Sequence, residues 1–250
     1  MADSKMQPNT ADKSLLECIP VTAEDGIDIL KCTESTLWKD WFLNLQKQLL
    51  WKVRGIHIQS VDMFGKRVGF MKIKADIIHS ITKQPIPGIC FLRGGSVAIL
   101  IIIECEGTEY VILTSQARVP IGQSDCREIP AGMLDGDGNF AGVAAKELKE
   151  ETGLEINSDK LFNLTALSGN TAVYPSPGGC DEFIRIYLYK CTMTADELQE
   201  LNGRITGNTD EGESIIIKLI KYEDLYTIPD CKALSAYAMY EGLKKNNIFT

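Results

Sequence analysis

Seven apolar residues in succession, VAILIII within Ser96–Glu104, constrain this chain more than any other stretch. A run so rich in β-branched side chains has the character of a strand buried on both faces, and such strands belong to sheets covered by helices on either side. The turn-prone CEGTE follows, and YVILTSQ (Tyr110–Gln116) supplies a second strand. Apolar, strand-like segments recur near 161–168, 183–191 and 215–220. A terminal helix is predicted over Asp230–Lys245, with Asp230 as N-cap and a stripe through Ala233, Ala236, Tyr237, Tyr240 and Leu243. With a helix at 144–154 between the strands, this order predicts an α/β fold with a mixed sheet.

Upstream the character changes. Residues 1–20 are polar, and Thr33–Trp51 (TESTLWKDWFLNLQKQLLW) has apolar residues at 37, 41, 42, 45, 49 and 50, which is helical spacing. Two alternating segments, IHIQSVDMF and VGFMKIKADII, flank the turn-prone GKR and predict a hairpin. Residues 1–92 therefore read as a partly β N-terminal module and 93–250 as the main domain. A chain of 250 residues, 44% apolar, is long enough for that division.

The net charge of −8 argues against a nucleic-acid partner. A small anionic substrate would need local positive charge or a metal. Eight cysteines are scattered without a CxxC pair and read as reduced core residues, while two histidines, His57 and His79, offer little for zinc. The opening residues lack an apolar secretory core and an Arg-rich transit pattern, and no apolar run reaches the length of a membrane span. The expectation is a soluble, cytoplasmic protein with no membrane partner.

In AAKELKEETGL (Ala144–Leu154), glutamates at 147, 150 and 151 share one side of a short helix. Like charges at i,i+4 weaken an isolated helix by about 0.2–0.5 kcal/mol per pair. One reading is a solvated acidic face that Lys146 and Lys149 balance incompletely; the other is a hard cation such as Mg²⁺, which prefers carboxylate oxygens and is often shared with phosphates.

The surroundings bear on the choice. GMLDGDGNFAGVAAKELKEETGL (Gly132–Leu154) resembles the Nudix box, G-x5-E-x7-R-E-U-x-E-E-x-G-U, with Gly132, Glu147, Leu148, Glu150, Glu151, Gly153 and Leu154 matching. Gly138 stands where the box has glutamate and Lys146 where it has arginine. REIPAGMLD (Arg127–Asp135) and YPSPGGCDE (Tyr174–Glu182) are similar to the ADP-ribose and ADP-sugar diphosphatase branch, and Val61–Ile77 and RVP at 118–120 to its plant-type members.

The resemblance implies a Nudix fold, a mixed sheet sandwiched between helices, and Mg²⁺-dependent hydrolysis of ADP-sugars such as ADP-ribose and ADP-glucose to AMP and a sugar phosphate, Mn²⁺ being a possible substitute. It assigns the metal to Glu147, Glu151 and the carbonyl of Ala131, with Glu150 assisting, and the diphosphate clamp to Arg118. It makes Glu213 the catalytic glutamate of a mobile loop, with Glu211 as its rival, and puts Glu182 near the terminal ribose. Trp38, Trp41 and Trp51 are core or dimer-packing residues on their own, and the resemblance offers one of them to the adenine of a neighbouring subunit in a homodimer. Two alternatives stay open: a diphosphatase for UDP-sugars or another nucleoside diphosphate, and a silent Nudix module that binds an ADP-ribose-like ligand.

Overall fold

The computed structural model describes residues 19–134, 140–154, 158–207 and 214–249. The chain divides into two compact units, 1–93 with 178–181, and 94–177 with 182–250.

The first unit contains β1 (Val21–Ala23), α1 (Ile29–Glu34), α2 (Thr36–Gln46), β2 (Trp51–Phe64), β3 (Arg67–His79), β4 (Pro85–Ile86) and β5 (Ile89–Leu92). β2 and β3 form the expected hairpin about Gly65, whose φ of +59° suits a residue without Cβ. β1 joins β2 in parallel, while β4 and β5 both pair with β3. Phe91 adds a bridge to Cys180, and its N–H donates to the Gly179 carbonyl at 2.8 Å. The four residues 178–181 thereby extend this sheet. Ile56, Ile58, Met71 and Ile73 pack beneath Trp38, Phe42 and Leu45 of α2.

The helix predicted through Trp51 is shorter than its apolar spacing suggested. Ser35 caps α2, accepting from the Trp38 N–H at 3.2 Å, but the helix stops at Gln46. Leu45 is its last buried residue; Leu49 is 92% exposed, and Trp51 already pairs with His79. The cross-strand ladder takes residues that periodicity assigned to a helix.

The second unit holds β6 (Ser96–Cys105), β7 (Thr108–Arg118), β8 (Gln123–Glu128), β9 (Ala131–Met133), α3 (Phe140–Thr152), β10 (Phe162–Asn163), α4 (Leu164–Leu167), β11 (Ile184–Thr192), α5 (Ala195–Leu201), β12 (Ile205–Thr206), β13 (Ile215–Lys221) and α6 (Cys231–Lys245). The sheet is mixed, ordered β10-β11-β6-β7-β13-β12, with β6 and β11 parallel and the other pairs antiparallel. Val97 through Ile103 are fully buried. Val97, Ile99, Ile101 and Ile103 pack toward Val143 and Ala144 of α3, while Ala98, Leu100 and Ile102 pack toward Ala233, Ala236, Tyr240 and Leu243 of α6. This is the helix-covered, doubly buried strand that the sequence predicts. Segment 161–168 differs from expectation: only Phe162 and Asn163 are strand, because the Asn163 side chain accepts from the Ala166 N–H at 2.9 Å and starts α4.

One irregularity positions the site. β6 and β7 pair from Ile102/Val111 to Cys105/Thr108, then part. Beyond that point β9 occupies the edge of β6, Ala131 opposite Ala98, and β8 occupies the edge of β7, Glu128 opposite Thr114.

Candidate active site

The short connection from Glu128 to Ala131 lies where β6 and β7 diverge, and two carboxylates converge on it. Glu151, 6% exposed in the last turn of α3, accepts from the Ala131 N–H on Oε2 at 3.0 Å. The structure thus brings together two of the three residues predicted to hold a metal. Burial of a carboxylate is costly unless it is hydrogen-bonded or paired, and the Ala131 N–H meets part of that need. A hard divalent cation fits that chemistry, since Ala131 and Glu151 offer only oxygen ligands and a negative charge. The Glu147 side chain, which would complete the set, lies outside the described residues, as do Asp135, Asp137, Gly138, Glu211 and Glu213.

Glu150 faces outward. Its carboxylate is 3.7 Å from the Lys146 ammonium, an exposed i,i+4 pair of small energetic weight. Lys146 thus spends its charge on the solvent side of α3. The helix ends at Gly153, with φ +74°, whose N–H donates to the Lys149 carbonyl at 2.9 Å. A Cβ there would lie 3.3 Å from the Arg204 guanidinium. Arg204 therefore brings positive charge to the negative end of the helix dipole. The neighbouring chain binds α3 as well: the Thr206 hydroxyl donates to the Glu151 carbonyl, and the Gly207 N–H to the Glu150 carbonyl at 3.4 Å.

Arg118, the predicted diphosphate clamp, ends β7 and binds Glu128. Nε and Nη2 donate to the two Glu128 carboxylate oxygens, each at 2.8 Å. The Lys232 ammonium donates to the same carboxylate at 3.1 Å and to Asp230 Oδ1 at 2.9 Å. Burial pushes the Glu128 carboxyl up, but the Arg118 hydrogen bond and the charges of Lys232 and Arg118 outweigh it and bring it down to about 2. Asp230 caps α6 as predicted, accepting from the Lys232 N–H at 3.1 Å, and its Oδ2 accepts from the Ile129 N–H at 3.1 Å. Sequence reasoning quoted Glu128 within its motif without a role and gave Lys232 none; only the fold joins positions 104 residues apart.

Glu182 belongs to this unit, is half-buried, and lies close enough to Cys231 at the start of α6 to raise its thiol pKa, behind burial and Asp230. The tryptophans belong to the first unit. Trp38 is 2% exposed and stacks on Phe42 at 5.8 Å, so its rings are committed to the core, which corrects its candidacy for base stacking. Trp41 meets Trp38 edge-on at 5.5 Å and is partly buried, whereas Trp51 keeps an exposed face.

A family model described as the NUDIX domain matches residues 93–241. The chain is 39% identical over 246 residues to "Nudix hydrolase 14, chloroplastic" of Arabidopsis thaliana, covering 93% of this chain and 79% of that one. It is 31% identical over 156 residues to the "ADP-ribose pyrophosphatase" of Bacillus subtilis (strain 168), covering 60% and 74% respectively. A solved structure described as "Crystal structure of ADP compounds hydrolase" shares the fold, with a TM-score of 0.53 at 16% identity over 78% of this chain and 95% of the other. Fold and comparisons together define a hydrolase of small nucleotide compounds. The chain belongs to the Nudix family. Hydrolases of this family generally use a divalent metal such as Mg²⁺. Among the described residues, no helix is long and apolar enough to cross a membrane.

Proposed function

We propose that this hydrolase splits the diphosphate of ADP-sugars, ADP-ribose and ADP-glucose first among them, to AMP and a sugar phosphate in the presence of Mg²⁺. The observation that carries the reading is the hydrogen bond from the Ala131 N–H to buried Glu151, which supports the implied metal shell of Glu147, Glu151 and the Ala131 carbonyl. When bound there, Mg²⁺ supplies charge screening of the diphosphate and a bound water of lowered pKa. Arg118 orients the diphosphate, Glu150 assists the metal ligands once turned from its exposed pairing with Lys146, and Glu213 orients or deprotonates the attacking water. Glu182 contacts the terminal ribose. Trp51, and the exposed part of Trp41, are left to stack on the base. Mn²⁺ substitutes for Mg²⁺.

The protein works as a homodimer in this reading. Leu49, Leu50, Trp51 and Ile81 support it, as large apolar residues exposed near one end of the β2–β3 hairpin, where the Ser80 N–H donates to the Leu50 carbonyl at 2.7 Å.

The test is AMP release from ADP-ribose, ADP-glucose and UDP-glucose by the wild type and Glu151→Gln, with and without Mg²⁺. Release from an ADP-sugar that needs Mg²⁺ and vanishes in the variant supports the reading. Preference for UDP-glucose moves the substrate to another nucleoside diphosphate. Binding of ADP-ribose without turnover makes the protein a silent binder. The Arabidopsis relative is described as chloroplastic, so fractionation of native cells decides between that compartment and the cytoplasm proposed here.

A further inference from the structure

We propose that Lys232, aligned by Asp230, is a positioning residue for Arg118 and acts through Glu128 to aim the open edge of the guanidinium at the substrate diphosphate. The inference rests on the reading of Arg118 as the diphosphate clamp.

Guanidinium geometry supplies the first step. A guanidinium carries five N–H donors in a planar fork, and its Nε/Nη2 edge matches one carboxylate in bidentate fashion. In Arg118 that edge is taken by Glu128. Among the described residues no hydrogen bond is made by Nη1, and the side chain is 40% exposed. One edge is anchored and the opposite one is open, so the direction of the open edge is set by where Glu128 holds the other.

Glu128 is itself held. Its side chain is 10% exposed, and the Lys232 ammonium reaches its Oε2, the oxygen that also accepts from Arg118 Nη2. Lys232, 14% exposed, is fixed in turn by Asp230 Oδ1, and Asp230 Oδ2 grips the Ile129 N–H. The start of α6 therefore holds the carboxylate through Lys232 and its backbone through Asp230. Two cations facing two carboxylates leave the cluster neutral, so Lys232 shares with Arg118 the task of balancing Glu128. Glu128 would otherwise draw on Arg118 as its sole cation. Cys126 also meets this group, its thiol donating to Glu128 Oε1 at 3.3 Å.

A double-mutant cycle tests the connection, because a residue acting through another loses its effect when that other is removed. The probe is inorganic diphosphate with Mg²⁺, measured by calorimetry, and ADP-ribose turnover is followed on the same preparations. Lys232→Met is expected to weaken diphosphate binding and raise KM about tenfold with kcat changed less than about threefold, and Lys232→Arg to restore both. In an Arg118→Ala background, Lys232→Met is expected to add less than about twofold. An equal loss in both backgrounds, or a fall in kcat with KM unmoved, overturns the proposal. If Lys232→Met does not fold, Glu128→Gln runs the same cycle without altering α6, with the same expected non-additivity. Wild-type protein that binds diphosphate but does not hydrolyse ADP-ribose defeats the substrate reading, while the cycle still decides the role of Lys232.

Discussion

The hydroxyl of Thr206 donates to the main-chain carbonyl of Glu151, so the strand that precedes segment 208–213 is tied to the residue proposed as a metal ligand. The Gly207 N–H repeats the connection one residue on, at the Glu150 carbonyl. Both bonds satisfy carbonyls that the end of α3 leaves without an intrahelical partner.

Thr206→Val removes the hydroxyl and keeps the shape. It is expected to cost about 1 kcal/mol of stability. A several-fold fall in kcat with little change in KM should accompany it, because the proposed base, Glu213, follows on the same connection. Thermal melts and steady-state kinetics on the purified variant check both parts.

Gly153→Ala places a side chain in the left-handed region, 3.3 Å from Arg204. That backbone conformation costs a non-glycine residue about 1–2 kcal/mol. Urea unfolding should report a destabilisation of that size, and the Arg204→Ala double variant should recover only the part due to crowding.

The stability of the protein in acid should depend on Glu128. Its folded-state pKa, about 2, lies below the ordinary 4.5, so its contribution is fully present above about pH 4.5 and is lost as pH falls through 2. Wild-type urea midpoints measured downward from pH 6 should drop through that window, and Glu128→Gln should show a shallower slope. Equal slopes would mean that the pairing with Arg118 and Lys232 is not held in solution.

Removal of divalent metal should abolish turnover and leave the fold intact, since both cores of the sheet are packed from apolar side chains. Dialysis against a chelator followed by Mg²⁺ or Mn²⁺ addition, with circular dichroism alongside the assay, measures this. Unfolding on chelation would give the metal a structural rather than a catalytic place.

Leu49→Asp combined with Ile81→Asp is expected to yield a monomer by light scattering, because each charge enters a face that the dimer reading covers. A dimer that persists would move the interface elsewhere.

The parts of this molecule legible in the sequence are those set by local chemistry. Seven consecutive, largely β-branched apolar residues read as a strand covered on both sides, and Asp230 before an apolar stripe read as a cap. Gly153 ended its helix as its position in the motif required. The errors have an equally local origin. Leu49 and Leu50 kept helical spacing beyond the point where α2 had anything to bury them against, and Asn163 turned a strand-like segment into α4 by capping it. The charge cluster was illegible for a different reason. Glu128 and Lys232 look like ordinary charged residues in their own segments, and their value comes from a meeting that only the packing of α6 on the sheet creates.

The loan of residues 178–181 to the first unit's sheet has a consequence for how such a protein can be assembled or taken apart. The chain crosses from one unit to the other three times, so neither half is a bead that recombination could lift out with a single cut. A polypeptide stopped at residue 93 would leave the Phe91 N–H and carbonyl without the Gly179 and Asp181 partners that now complete that edge. A bare strand edge of this kind invites pairing with other chains. The N-terminal half is thus expected to depend for its solubility on a few residues encoded nearly ninety positions downstream of its own last strand.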